Sequence, residues 1–175
     1  MILKTFVLGA LENNNYLLID DESADKEAVL IDCTVESAEI ENFLKEHNAK
    51  LKYILLTHGH FDHVLGVNHF KAKYPDCKVL VHEDDKELLA GIKDFARQFG
   101  LCPAEVQNID GYLKDGDLIQ FGTKQIKLFH TPGHTKGGVC YLVEDELFTG
   151  DTLFYESVGR TDLPGGSFDE IKSSR

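Results

Sequence analysis

The segment Thr57–His63, which reads Thr-His-Gly-His-Phe-Asp-His, constrains the fold of this chain more than any other feature. It places three imidazoles and one carboxylate within positions 58–63. The apolar run Tyr53–Leu56 before it is typical of a strand, and residues 64–70 after it predict a helix. A strand that ends in nitrogen and oxygen donors and is followed by a helix can form a metal-binding cup. The segment therefore predicts a metal site at the end of a strand.

The spacing within this segment favours two groups of donors. His58 and His60 are two positions apart, so their side chains would point to the same side if the strand continued through them. Asp62 and His63 would lie in the first turn of the following helix and reach a second point nearby. Two such groups suit two metal ions about 3.5–4 Å apart.

Two later segments place further donors at the ends of predicted strands. His134 lies in Thr-Pro-Gly-His-Thr, residues 131–135, and Asp151 lies in Phe-Thr-Gly-Asp-Thr, residues 148–152. A glycine beside each donor lets the backbone approach closely. A polar helix start with surface histidines is the simpler interpretation of residues 58–63, but it does not account for donors at three strand ends. We therefore expect the imidazole of His134 to meet those of His58 and His60.

Size and composition predict one globular domain over residues 1–175. The apolar fraction is 42% and the charged fraction 27%, as in ordinary folded proteins. No apolar run approaches the roughly 18 residues that a membrane-spanning helix needs. The first residues also lack the pattern of a signal peptide, so the sequence predicts a cytoplasmic protein without a membrane partner.

Charge and cysteine content exclude two further classes of protein. The formal net charge is −12, and the lysines are dispersed, which argues against a nucleic-acid partner because such proteins present a cationic face. The four cysteines are scattered without a Cys-x-x-Cys pair. We therefore expect free thiols rather than a four-cysteine zinc site.

The remaining pattern predicts a layered α/β protein with mixed sheets. Helices are expected from an N-cap at Thr34, from the metal-type loop to about Tyr74, and from Asp84 to Phe99. Strands are expected at residues 2–8, 16–19, 29–31, 53–56, 79–81, 118–121, 125–129, 139–143 and 147–149. Ser167 and Glu170 form a capping-box pattern, so a helix begins there and reaches the last residue after barely two turns. The sequence thus predicts that the domain is incomplete at its C-terminus.

Five segments together resemble the metallo-β-lactamase superfamily and, within it, the glyoxalase II-like (hydroxyacylglutathione hydrolase-like) proteins. These segments are Ile-Asp at 31–32, residues 57–63, residues 131–135, Gly-Asp-Thr at 150–152 and Gly-Arg-Thr-Asp at 159–162. The resemblance implies a four-layer αββα sandwich of the metallo-β-lactamase type, with a metal centre at one edge of two packed sheets.

The resemblance also implies the roles of individual residues. The implied ligands are His58, His60 and His134 for a first metal, and Asp62 and His63 for a second, with Asp151 bridging the two. Asp62 would also orient the attacking water and accept a proton as a catalytic residue. Asp32 would support the loop around the histidines, although a plain turn after a strand explains it equally well. Arg160 would face an anionic substrate, or form a structural salt bridge beneath its loop.

The implied activity is hydrolysis of a small-molecule thioester, most closely an S-(2-hydroxyacyl)glutathione, by attack of a metal-bound hydroxide. The implied cofactor is zinc, as one or two ions, although nitrogen and oxygen ligands also admit iron or manganese. Nothing in the sequence indicates an oligomeric state.

The resemblance implies one further histidine near the C-terminus as a ligand of the second metal, but no histidine follows His134 in this chain. We therefore expect a second metal site that is weak or absent, and titration that finds two equally tight ions would contradict this expectation. Two other functions remain open. One is a mononuclear iron persulfide dioxygenase that uses His58, His134 and Asp151, and the other is a non-catalytic metal-binding domain.

Overall fold

The computed structural model describes residues 1–97, 100, 106 and 109–174, and a six-stranded mixed sheet organises the first two thirds of the chain. Its strands, which lie in chain order across the sheet, are β1 (Ile2–Leu8), β2 (Asn13–Ile19), β3 (Glu27–Ile31), β4 (Lys50–Leu55), β5 (Lys78–His82) and β6 (Gly111–Leu113). The first three strands pair antiparallel, whereas β3 to β6 pair parallel. The parallel strands therefore all end at the same edge of the sheet.

A layer of helices packs on one face of this sheet. The helices are α1 (Ala38–Glu46), α2 (Phe61–Val64), α3 (Val67–Lys73), α4 (Lys86–Ala90) and α5 (Ile92–Arg97). Ile40, Leu44, Phe70 and Ile92 are buried in the cluster that joins this layer to the sheet. Parallel strands need such cover because both of their faces are apolar.

A second, antiparallel sheet packs on the other face of the first. It contains β7 (Leu118–Phe121), β8 (Lys124–His130), β9 (Val139–Val143) and β10 (Glu146–Phe148), in the spatial order β10-β9-β8-β7. Leu18, Ile31, Phe121 and Tyr141 are fully buried between the two sheets. A short hairpin, β11 (Leu153–Phe154) with β12 (Ser157–Val158), follows. Two packed sheets with an outer helical layer confirm the predicted layered α/β class.

The first helix begins later than the sequence predicts. Ser37, and not Thr34, is the N-cap of α1, because its side chain accepts a hydrogen bond from the backbone N–H of Ile40. Thr34 is instead held by Asn15, whose amide exchanges hydrogen bonds with the backbone N–H and the hydroxyl of Thr34. A long-range contact therefore overrides a local capping signal.

Two expected helices are each divided into shorter helices. The helix after the metal-type loop divides into α2 and α3 at Gly66, where a Cβ atom would lie only 2.6 Å from the carbonyl oxygen of Val35. The helix expected from Asp84 consists of a 3₁₀ turn at Glu83–Asp85 followed by α4 and α5, which are separated at Gly91. Its expected end at Phe99 lies outside the described residues.

The last helix confirms the capping pattern near the C-terminus. Helix α6 (Phe168–Ser173) begins after Ser167, whose hydroxyl accepts the backbone N–H of Glu170 at 3.3 Å. It packs on the loop after β8, where a Cβ atom at Gly133 would lie 2.4 Å from that of Ile171. No helix in the described part of the chain is both long enough and apolar enough to cross a bilayer.

Candidate metal centre

Four chain segments meet where strands of the two sheets end, and each contributes donor side chains. The loop after β4 carries His58 and His60, the short helix α2 carries Asp62 and His63, the loop after β8 carries His134, and the loop after β10 carries Asp151. The two sheets are joined at this edge, because the backbone N–H of Val139 donates to the carbonyl of Thr57 at 2.9 Å. The ligand loops are thus anchored to both sheets.

The imidazoles of His58, His60 and His134 converge on one point. Their ring centroids lie 4.6–4.8 Å apart in each pair, and the Nδ1 atom of His60 lies 2.9 Å from the Nε2 atom of His134. All three rings are buried. Strand β4 ends at Leu55, so the convergence of His58 and His60 comes from the loop and not from a continued strand as expected.

A second group adjoins the first through the side chain of His58. Its ring centroid lies 4.1 Å from that of His63, and the donor atoms of His58, His63 and Asp151 all lie within 4.8 Å of one another. Asp151 faces both groups, since Oδ1 is 3.4 Å from Nε2 of His63 and Oδ2 is 3.5 Å from Nε2 of His134. Oδ2 of Asp62 lies 3.5 Å from the same Nε2 atom of His63.

Hydrogen bonds on the far side of the rings fix the protonated nitrogen. The Nδ1–H of His63 donates to Oδ2 of Asp32 at 2.8 Å, and that of His134 donates to the carbonyl of Arg160 at 2.8 Å. The hydroxyl of Thr57 donates to Asp32, so it accepts from Nδ1 of His58 at 3.1 Å. Nε2 of His58 and Nε2 of His134 therefore direct their lone pairs toward the centre, as in metal-ligating histidines, and Nε2 of His63 faces the same centre.

Burial and neighbouring charges set the protonation of these groups. Burial, reinforced by the neighbouring imidazoles, lowers the pKa of His58 far below its ordinary value and that of His60 to about 4. Burial also opposes the charging of His63, but the carboxylates of Asp32 and Asp151 outweigh it and hold the pKa of His63 well above its ordinary value. Although burial disfavours the ionised carboxylate, His63 keeps the pKa of Asp151 below its ordinary value. His58 and His60 are therefore neutral and Asp151 ionised, which are the forms that bind metals, whereas a metal bound to Nε2 of His63 would displace a proton.

The donor set fits a divalent metal ion. Nε2 of His58 is buried and has no hydrogen-bond partner, which is costly unless another group meets the lone pair. Imidazoles and carboxylates without a thiolate suit zinc and also iron or manganese.

A cleft of about 620 Å³ opens from this centre to the surface. Asp62, His63 and Asp151 line its inner end. Its outer walls are Leu11, in the β1–β2 turn, and the β11–β12 hairpin with Tyr155, which is 92% exposed. Asp62, His63 and Asp151 are therefore reached from the surface through this cleft.

Residues 9–175 match the metallo-β-lactamase superfamily. This chain belongs to the metallo-β-lactamase superfamily, which consists largely of hydrolytic enzymes. The αββα fold expected from the sequence is thereby confirmed.

Three relatives show how far the similarity to known members extends. Hydroxyacylglutathione hydrolase GloC of Haemophilus influenzae is 32% identical, over 99% of this chain and 82% of that protein. The crystal structure of BLEG-1 B3 metallo-β-lactamase matches with a TM-score of 0.87 at 32% identity, over 99% of this chain and 83% of that one. The structure of TTHA1623 in a di-iron-bound form matches with a TM-score of 0.83 at 32% identity, over 98% of this chain and 83% of that one.

Arg160 does not line the cleft of this metallo-β-lactamase domain. Its guanidinium binds the carboxylate of Asp162 through two hydrogen bonds of 2.8 and 2.7 Å. Both side chains of this pair are exposed, and it is the backbone carbonyl of Arg160 that contacts His134. The two roles suggested for the Arg160 side chain stay predictions.

Another group of donors, His82, Asp84 and His130, lies outside this centre. The rings of His82 and His130 are stacked 4.0 Å apart at 12°, so their in-plane lone pairs run nearly parallel and do not converge. Nε2 of His130 also donates to the carbonyl of Lys136 at 2.8 Å. The geometry therefore favours a packing contact at the ends of β5 and β8 over a metal site.

Sequence reasoning missed Asn13 as a neighbour of the metal centre. Its amide donates to Oδ2 of Asp62 at 2.8 Å and to the backbone carbonyl of Asp62 at 3.0 Å. The run Asn13–Asn15 at the start of β2 was the only signal in the sequence, and three amides at a strand start also suit an ordinary turn.

Proposed function

We propose that this metallo-β-lactamase domain hydrolyses a thioester, most closely one of the S-(2-hydroxyacyl)glutathione type. The observation that carries the proposal is the convergence of the rings of His58, His60 and His134 beside His63 and Asp151, at the inner end of an accessible cleft. The similarity to hydroxyacylglutathione hydrolase GloC supports the choice of a thioester.

In this proposal the donors divide into two sets that share one carboxylate. Nε2 of His58, Nδ1 of His60 and Nε2 of His134 would hold the first ion. Asp62 and His63 contribute to a second, and Asp151 faces both. The di-iron form of TTHA1623 supports a fold that can hold two ions. Zinc is the ion proposed for this chain, and iron or manganese would suit the same ligands.

When bound, such ions lower the pKa of a coordinated water to about 7 and polarise a substrate carbonyl. The chain supplies the remaining functions. Asp62, oriented by Asn13, holds the nucleophilic water and accepts its proton, and it is 3.5 Å from the imidazole of His63. The departing thiolate needs little protonation, because thiol pKa values lie near about 8.5.

The test combines metal analysis with a thiol-release assay. The purified protein is expected to contain zinc and to release free thiol from S-lactoylglutathione, and a chelator should abolish the release until metal is restored. Zinc without thiol release, together with hydrolysis of a β-lactam, would replace the proposed substrate class. A single iron with oxygen consumption on a persulfide would indicate the dioxygenase, and bound metal with neither activity would indicate a binding domain.

Replacing Asn13 tests the role given to Asp62. The variant Asn13→Ala removes both hydrogen bonds that hold the side chain and backbone of Asp62, but it leaves every proposed metal ligand in place. We expect kcat to fall by about tenfold with little change in KM or metal content, because the group that it orients acts in the transition state. Equal kcat values for the variant and the wild type would contradict this role.

A further inference from the structure

A buried carboxylate links the two loops that carry the histidines of the first set. Asp85 is only 1% exposed. Its Oδ2 atom accepts the backbone N–H of Gly59 at 2.7 Å and the hydroxyl of Thr135 at 2.9 Å. Its Oδ1 atom accepts the backbone N–H of Gly137 at 2.7 Å.

These donors stand directly beside the proposed metal ligands. Gly59 lies between His58 and His60 in the chain, and Thr135 follows His134. The loops come from different sheets and are more than 70 positions apart in sequence, since the contact between His60 and His134 spans 74. One side chain thus bridges the two loops that carry all three imidazoles.

Both loops pack directly against the side chain of Asp85. A Cβ atom at Gly137 would lie 2.7 Å from Cγ of Asp85 and 2.6 Å from its backbone nitrogen. A Cβ atom at Gly59 would lie 3.4 Å from Cβ of Asp85. The loop at Gly137 therefore approaches Asp85 more closely than a residue with a side chain could, and the loop at Gly59 is in ordinary van der Waals contact with it.

The three groups that donate to the carboxylate of Asp85 are all uncharged. A buried negative charge held only by neutral donors is destabilising unless a positive charge lies near. A cation bound in front of the two loops would interact favourably with this charge behind them. Mutation of the residues that hydrogen-bond to metal ligands from behind typically lowers metal affinity by about 10- to 100-fold.

We propose that Asp85 is a positioning residue that sets the geometry and affinity of the first metal site. It acts through the loops of His58, His60 and His134 and touches neither the metal nor the substrate. The inference rests on the proposed metal centre, because it has no meaning if these histidines bind no ion.

The test compares Asp85→Asn with Asp20→Asn as a matched control. Asp20 is also fully buried and also links the two sheets, accepting the backbone N–H and hydroxyl of Thr123 at 2.6 and 2.9 Å. It lies beyond the end of β2 opposite to Asn13, away from the metal centre. Both variants remove a buried charge and replace one acceptor oxygen by an amide group, but only Asp85→Asn adjoins the ligand loops.

The experiment has two readouts. One is the affinity for Co²⁺, measured by competition with a chelator, and the other is the visible absorption of the bound Co²⁺. We expect Asp85→Asn to weaken binding by about tenfold or more and to shift the absorption bands. Asp20→Asn should keep the affinity and spectrum of the wild type, even if its melting temperature falls. If Asp85→Asn fails to fold, Thr135→Val, which removes one of the three donors, should weaken binding by a smaller factor.

The results of the variants test the positioning role, and the result of the wild type tests the metal centre. An Asp85→Asn variant with wild-type affinity and spectrum would overturn the positioning role, and so would an equal loss of affinity in Asp20→Asn. Failure of the wild type to bind Co²⁺ would instead overturn the metal centre on which the inference rests.

Discussion

Replacement of His134 by alanine is expected to lower kcat/KM for thioester hydrolysis by at least about 1,000-fold, the scale on which a group that stabilises the transition state acts. The ring of His134 lies within contact of both donor groups, with Nε2 2.9 Å from Nδ1 of His60 and 3.5 Å from Oδ2 of Asp151. Its removal leaves the first set with two imidazoles. Metal content should therefore fall together with activity.

The measurement is thiol release from S-lactoylglutathione, with metal content determined on the same samples. His69→Ala is a suitable control, because His69 lies on α3 and pairs with the carboxylate of Glu41 at 2.6 Å, outside the centre. It should retain activity and metal. A His134→Ala variant that kept both would show that the imidazole of His134 is not a ligand.

The positions of the donors could be predicted from the sequence because each is marked locally. The motif at residues 57–63 and the glycines beside His134 and Asp151 are short signals that need no knowledge of the rest of the fold. The bounds of β7 and β9 were likewise predicted correctly, since both strands alternate or run apolar between clear turns.

Features set by long-range contacts could not be predicted in this way. The N-cap moved from Thr34 to Ser37 because Asn15 holds Thr34. The three-residue strand β6 and the two-residue strands of the β11–β12 hairpin are too short to produce a periodic pattern. Asp85 was expected only to open a helix, and nothing local indicates that its carboxylate reaches Gly137, 52 positions away.

The sequence marks the superfamily and the fold more clearly than the substrate. Membership in the metallo-β-lactamase superfamily and the αββα fold are confirmed. The thioester substrate, the identity of the metal, the residue roles, the single-domain assignment and a cytoplasmic location stay predictions. Short motifs in the sequence mark the donor residues. The substrate cannot be predicted in this way, because the cleft walls at Leu11 and Tyr155 carry no motif.

The second large effect is expected on stability, at Asp32. Its carboxylate is buried and accepts three hydrogen bonds of 2.8 Å, from the backbone N–H and hydroxyl of Thr57 and from Nδ1–H of His63. Asp32→Ala leaves these donors without partners, and each buried unsatisfied donor costs about 1–3 kcal/mol. The free energy of unfolding should therefore fall by about 4 kcal/mol, on the scale of the most disruptive single substitutions.

The backbone conformation at residue 32 adds to the loss of stability in Asp32→Ala. A second variant, Asp32→Asn, separates the effect of the backbone and the side-chain shape from the effect of the lost charge. Asp32 has a φ of +59°, a left-handed conformation that asparagine tolerates better than alanine. Asp32→Asn should thus be less destabilised than Asp32→Ala, since it keeps the shape and one acceptor while removing the charge beside His63. Urea denaturation of the metal-free proteins measures both effects without a contribution from metal binding.

Asp20→Ala is the control for Asp32→Ala, because it shows whether a loss of stability alone lowers the affinity for Co²⁺. It also removes a buried carboxylate that links the sheets, so its free energy of unfolding should fall as well, but its affinity for Co²⁺ should not change. Asp32→Ala should lose both, because His63 then lacks the carboxylate that fixes its Nδ1–H and directs Nε2 toward the metal centre. An Asp32→Ala protein with wild-type stability would mean that Thr57 and His63 find other partners, and that Asp32 does not organise the centre.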